Sequence, residues 1–164
     1  MPAKYKAFLG LGGNLGDRAA LLDRAEALLS ERAGQVLAVS ERIETAPEGF
    51  VSEHPFLNEA LVLETVLDPM ELLHVTEDTE RQLGRVRKSA DGRYSDRTMD
   101  IDLLLLGDRV IQTPRLTVPH PRLPLRRFAL EPLAQIAPNA LHPLLGRTIR
   151  QLLDELDAAG TRSF

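Results

Sequence analysis

The chain has 164 residues, with 11 Gly, 11 Pro, no Cys and no Trp, 43% hydrophobic and 27% charged. That length suits one domain, 1–164, and that composition is too apolar for a disordered chain. Zero cysteines exclude a disulfide framework, a thiolate metal site and a cysteine nucleophile, and suit a reducing compartment, so a cytoplasmic protein is expected. A formal net charge of −4 argues against a nucleic-acid coat. No apolar run reaches the roughly 18 residues of a membrane span, and Met1 to Lys6 lacks a signal-peptide core.

Tyr5 to Leu11 alternates apolar residues and runs into Gly10, Gly12 and Gly13, which predicts a strand ending in a turn. From Asp17, Leu21, Leu22, Ala25, Leu28 and Leu29 recur at helical spacing, with Gly34 as the expected stop. Gln35 to Thr45 predicts a strand, Ala46 to Pro55 a loop, and Phe56 to Leu67 a further strand. Asp68-Pro-Met-Glu71 opens a second helix with an acidic capping box, ending at Gly84. Arg85 to Arg97 is polar and charged, and Thr98 to Leu106 predicts a buried strand. The order βαββαβ suggests an α+β fold, a ferredoxin-like sandwich with both helices on one face of an antiparallel sheet. C-terminal additions follow: a short strand over 110–113, a Pro-rich loop to Pro124, a helix carrying Phe128 and Pro132, and a last helix over 148–159 with Thr148 and Gln151 in capping-box positions.

Asp100-Ile-Asp102 lies in an otherwise apolar strand. Alternation sends both carboxylates out by one face, roughly 6–7 Å apart, and Met99, Ile101, Leu103 and Leu105 by the other. Two acids among apolar neighbours repel and lose solvation, which a cation or Arg partners would offset. Arg81, Arg85, Arg87, Lys88, Arg93 and Arg97 place six cations in seventeen residues before the pair, and Arg115, His120, Arg122, Arg126 and Arg127 follow it. Such a run alone is an ordinary solvated surface. Around two carboxylates it suits a polyphosphate with bound Mg²⁺: oxygen ligands for the metal, guanidinium forks for the phosphates. His120, between two prolines, reads either as a packed loop residue or as a donor to phosphate. Gly10-Leu-Gly12-Gly-Asn-Leu-Gly16 fits neither a dinucleotide nor a Walker loop and reads as a strand-to-helix turn. Phe56 and Asn58 share one strand face, where a ring can stack on a heterocycle and an amide can meet its edge.

At Gly84-Arg-Val-Arg87-Lys88, Arg97-Thr-Met-Asp100-Ile-Asp102-Leu-Leu-Leu and Leu116-Thr-Val-Pro-His120-Pro-Arg122, the chain resembles the 6-hydroxymethyl-7,8-dihydropterin pyrophosphokinases of folate synthesis. Gly12-Gly-Asn14-Leu-Gly16-Asp17 and Phe56-Leu-Asn58 extend the likeness over about 5–155. The resemblance implies a ferredoxin-like fold and transfer of the β,γ-pyrophosphoryl group of ATP to the pterin hydroxymethyl, releasing AMP. It implies Asp100 and Asp102 as ligands of two Mg²⁺, and Arg85 and Arg97 beside them in catalysis. It further implies Arg87, Arg97, Arg115, Thr117, His120 and Arg126 at ATP, and Thr45, Phe56, Asn58 and Phe128 at the pterin. Tyr94, in a loop about two residues longer than the family's usual one, stands where a closing aromatic is expected. Phe56 replaces a common Tyr, Thr45-Ala-Pro47 a Thr-Pro-Pro run, and Pro121 a common aromatic. A monomer with small-molecule substrates is expected. Two other readings compete: an RNA or ligand-binding module, disfavoured by 4% aromatic content and net acidity, and an ADP-forming kinase or nucleotide hydrolase using the same acids and arginines.

Overall fold

The computed structural model describes residues 3–46, 54–84 and 98–161. Its central strand, β1 (Tyr5–Gly13), runs antiparallel to both neighbours, β4 (Phe56–Thr65) and β5 (Asp100–Leu106). Two short strands, β2 (Gln35–Val39) and β3 (Ile43–Thr45), share the far edge of β4, giving the order β2-β4-β1-β5 with β3 also on β4. Helices α1 (Arg18–Arg32) and α2 (Pro69–Gln82) cover one face, and α3 (Arg127–Ile136) and α4 (Ile149–Thr161) the other. The described residues thus form a mixed α/β fold with an antiparallel sheet and four α-helices.

A sheet covered on both faces needs apolar residues on both. Ala7, Leu9, Leu11, Leu61 and Leu63 join Leu22, Leu29 and Leu72 in one core cluster, while Phe8, Ala60 and Val62 join Leu130, Leu133, Leu152 and Leu153 in the other. Strict alternation fails where β1 meets β5. Phe8 pairs with Leu105 and Leu9 with Leu103, so Leu104 is an extra residue in a β-bulge. Leu104 and Leu105 therefore both join the α3 and α4 cluster, correcting the expectation that Leu105 shares a face with Ile101 and Leu103.

The helix ends follow the sequence signals. The Asp17 side chain accepts from Ala20 N–H, and Asp68 and Glu71 form the expected capping box. Thr148 and Gln151 form another at the start of α4. Gly34 has a different role from the one its position suggests. The helix is capped by Ala33, and a Cβ on Gly34 would collide with the Glu64 carbonyl of β4. Close approach of two backbones, not a left-handed turn, requires glycine there. The expected short strand is β6 (Ile111–Gln112), and the Pro-rich stretch contains its partner β7 (Thr117–Val118) and a 3₁₀ turn over Leu123–Leu125. A second hairpin, β8 (Leu141–His142) with β9 (Arg147–Thr148), gives no sequence signal because two residues carry no periodicity. Its turn is held by His142 Nδ1, which accepts from the N–H groups of Leu144 and Leu145.

Beneath β4, Glu59 is buried and ion-paired to Arg42, whose guanidinium also reaches Asp23 and Glu26 of α1. Burial, reinforced by a hydrogen bond with the Glu26 carboxyl and opposed by Arg42, pushes the Glu59 carboxyl up to about 8 from an ordinary 4.5. A carboxyl raised on folding contributes stability that is complete below its ordinary value and is lost as pH rises through its folded value. The protein is therefore expected to lose stability relative to Glu59→Gln as pH rises from about 4.5 to about 8. Urea midpoints at about pH 5 and about pH 8.5 check this, and a difference that is flat or grows with pH would contradict a neutral Glu59.

Candidate active site

A cleft open to solvent lies between the sheet and the start of α3. Its floor is made by three adjacent strands, because Gly12 of β1 pairs with Asn58 of β4 on one side and with Asp100 of β5 on the other. Gly10 lies in the same way between Ala60 and Asp102. Side chains that leave β1 on this face are thus missing at two successive positions, leaving a bare lane between an amide and two carboxylates. A Cβ on Gly12 would collide with Asn58 Oδ1, whereas one on Gly10 would come to 3.4 Å from Leu104 Cδ1. The glycines expected to form a strand-to-helix turn are instead within the strand, and the turn falls later, at Gly16 with φ of 73°. The signal lay in their period of two, which marks one strand face, as for the Asp pair.

At the carboxylate end, Asp100 and Asp102 are both half-buried and line the cavity, as alternation predicts. The loop after β7 bonds back to the strand through His120 N–H and the Leu104 carbonyl, 3.0 Å, which brings the imidazole beside the acids. Its Nδ1 accepts from Arg122 N–H, so a neutral His120 carries its proton on Nε2, which lies 4.0 Å from Asp102 Oδ1. Arg126, at the N-cap of α3, is only 5% exposed and places Nη1 3.8 Å from Asp102 Oδ2, with its guanidinium 5.3 Å from the centre of the Phe128 ring. A guanidinium in this wall could pair with an anion or stack on a π-system that enters the cavity.

At the other end, Asn58 Nδ2 donates to Thr45 Oγ1 across 2.7 Å, and Phe56, Phe128, Leu123 and Ala129 supply an apolar lining. Phe56 comes from β4 and Phe128 from α3, on opposite walls, so a flat ring could lie between them. Loop residues are tied in nearby: Asn14 Nδ2 donates to the His54 carbonyl, and Arg18 bonds the Pro55 carbonyl and Glu44.

Of the residues singled out in the sequence, Thr45, Phe56, Asn58, Asp100, Asp102, His120, Arg126 and Phe128 come together around this cavity. Arg115 lies outside its lining, exposed and bonded to Glu77, and Thr117 is exposed on β7. Arg85, Arg87, Tyr94 and Arg97 lie outside the described residues. Sequence reasoning missed Gly10 and Gly12 as the floor, and Leu123 and Ala129 as walls. Among the described residues no group of three His, Cys, Asp or Glu side chains is placed to hold a metal ion. Two carboxylates without further protein ligands suit Mg²⁺, which keeps several waters and takes oxygens from a substrate phosphate.

A family model described as 7,8-dihydro-6-hydroxymethylpterin-pyrophosphokinase matches residues 8–138. A 2-amino-4-hydroxy-6-hydroxymethyldihydropteridine pyrophosphokinase of Porphyromonas gingivalis is 47% identical over 137 residues, 83% of this chain and 92% of that protein. The enzyme of the same name from Bacillus subtilis is 44% identical over 131 residues, 79% of this chain and 77% of that protein. Folic acid synthesis protein fol1 of Schizosaccharomyces pombe is 33% identical over 159 residues, 96% of this chain but 21% of that protein. Among solved structures, the wild-type HPPK-DHPS of Plasmodium falciparum with pteroate superposes with a TM-score of 0.79 at 17% identity, covering 99% of this chain and 46% of that one. The chain thus spans less than half the length of the solved protein whose fold it shares.

Gly12→Ala is expected to displace the Asn58 side chain and break its bond to Thr45, while Gly10→Ala is absorbed by the flexible Leu104 side chain. Asn58 side-chain amide resonances check this: they should move in the first variant and stay in the second. Equal, small shifts in both would refute the close packing of the floor.

Proposed function

Because this chain belongs to the 7,8-dihydro-6-hydroxymethylpterin-pyrophosphokinase family and transfers a pyrophosphoryl group to hydroxymethyldihydropterin in folate biosynthesis, we propose that the donor is ATP, that AMP leaves, and that the cavity holds both substrates. The observation that carries this reading is the separation of chemistries across β1. An amide and two aromatic rings lie on the β4 side and two carboxylates on the β5 side, with two glycines between them. Two strand spacings, about 10 Å, are spanned by a pterin at one end and phosphates at the other.

In this reading Phe56 and Phe128 stack on the two faces of the pterin, while Asn58, oriented by Thr45, meets its polar edge. Asp100 and Asp102 would hold Mg²⁺, two ions in the fullest version, which when bound neutralises phosphate charge and polarises the transferred group. His120 donates its Nε2 proton, and Arg126 its guanidinium, to phosphate oxygens beside the acids. Arg85, Arg87 and Arg97 would add further contacts to ATP, Arg115 and Thr117 would meet only a part of the nucleotide that extends out of the cavity, and Tyr94 would be the aromatic partner at the pterin. Transfer of this kind asks the protein for alignment of the hydroxyl with the β-phosphorus and for charge neutralisation, with little covalent work. The apolar walls also limit water, which would compete with the pterin hydroxyl.

The order β2-β4-β1-β5, with α1 and α2 on one face, supports reading the core as a ferredoxin-like sandwich to which α3 and α4 are added. We further infer a cytoplasmic monomer that acts on small molecules; among the described residues no helix is long and apolar enough to cross a membrane, and a net charge of −4 disfavours a nucleic-acid partner.

Purified protein incubated with ATP, Mg²⁺ and 6-hydroxymethyl-7,8-dihydropterin should release AMP one-for-one with consumed pterin, and none when EDTA is added. ADP, or AMP formed without pterin, would reject the assigned donor chemistry. Asp100→Ala and Asp102→Ala should each lower kcat by about 10³-fold or more with the thermal midpoint within a few degrees of wild type. Activity within about tenfold of wild type in either variant would remove that residue from the metal role.

A further inference from the structure

Edge strand β3 is three residues long, yet it carries Thr45, the partner that orients Asn58. Three residues of ladder on one side hold a strand weakly, so something else fixes it. Its underside shows what does. Ser40 N–H donates to the Ala60 carbonyl while Ala60 N–H donates to Ser40 Oγ, and Ile43 pairs with Asn58, so Glu41 and Arg42 together face Glu59, a bulge between β2 and β3. The bulge splits its two residues. Glu41 N–H donates to Gln135 Oε1 of α3, while Arg42 turns under the sheet to Glu59.

Arg42 Nε donates to Glu59 Oε1 across 2.8 Å, and its Nη groups reach the Ala19 carbonyl, Asp23 and Glu26 of α1. The Glu59 side chain is fully buried, and it leaves β4 between Asn58 and Ala60, by the opposite face. The next underside residue of β3, Glu44, is bonded to Arg18 of the same helix. The edge strand is thus tied to β4 and α1 from below by ion pairs, and to Asn58 from above by Thr45.

We propose that Arg42 and Glu59 are positioning residues for the pterin end of the cavity: their hydrogen-bonded pair fixes β3, and through it the Thr45–Asn58 hydrogen bond. The pair holds geometry because Arg42 bridges the buried Glu59 of β4 to Asp23 and Glu26 of α1, and removing either partner leaves a buried polar group without its hydrogen bond. The proposal rests on the pyrophosphokinase reading, and it confines the effect to one substrate, since β1 separates this pair from Asp100 and Asp102.

Steady-state kinetics and calorimetric pterin binding in the intact chain test it, using Arg42→Met, Glu59→Ala and Glu59→Gln. In the first two, KM and Kd for 6-hydroxymethyl-7,8-dihydropterin should rise about tenfold while KM for ATP stays within about twofold. Glu59→Gln keeps the acceptor for Arg42 and, like the protonated carboxyl, offers a donor toward Glu26, so it should restore pterin affinity to within about threefold of wild type. Unchanged pterin affinity, a parallel rise in both KM values, or a Gln variant no better than Ala would overturn the positioning role. Should Arg42→Met not fold, Arg42→Lys serves, because one ammonium cannot reach three carboxylates as the guanidinium does, and the same split in KM is expected. Wild-type protein that releases no AMP would instead sink the assigned reaction, and the calorimetric comparison would still decide the clamp.

Discussion

A sheet buried on both faces has no room for a ligand unless side chains are missing from one of them. Here the missing side chains are those of Gly10 and Gly12, at the centre of the central strand, and everything else at the site is arranged around that gap. Because β1 is flanked by β4 and β5 in antiparallel register, the gap borders Asn58 and Ala60 on one side and Asp100 and Asp102 on the other. The chain could not exchange either glycine for a larger residue without filling the cavity or moving Asn58. Helix α3 closes the far wall with Phe128 and Ala129, and its N-cap supplies Arg126. The added C-terminal elements thus complete the cavity as well as the core.

Burial sets the character of the charges there. Arg126 is almost wholly enclosed and stands beside Asp102 at a distance too long for a close ion pair. Guanidinium and carboxylate side by side in a low-dielectric wall give that end of the cavity groups of both signs. His120 has the same placement, with one ring nitrogen fixed by its own loop and the other facing Asp102. Such an arrangement is preorganised for charge that arrives with the substrate.

Local rules made much of this legible in the sequence. Capping boxes at Asp68 and Thr148 marked helix starts because their hydrogen bonds span only three residues. Alternation placed Asp100 and Asp102 on one face because no bulge intervenes between them. The same rule failed at Leu105, three residues on, because the bulge at Leu104 depends on how β1 pairs with β5, which no local pattern encodes. Gly10 and Gly12 were read as a turn because glycine in a strand and glycine in a loop look alike until the strand's neighbours are known. Arg115 and Thr117 show the opposite case: motif position groups them with His120, while in the fold they face solvent beside it.

Arg42 and Glu59 carry this argument one step further. Seventeen residues separate them, neither belongs to a motif, and each alone reads as surface charge. Only the bulge between β2 and β3 turns Arg42 under the sheet, and only the two-sided cover makes Glu59 buried. Their pairing follows from the same constraint as the glycine lane. A ligand lying on one face of a thin edge strand needs that strand held from the other face, and in a small domain the nearest rigid body is α1. The acids of α1 that meet Arg42 are therefore part of how the cavity keeps its shape, although none of them touches it.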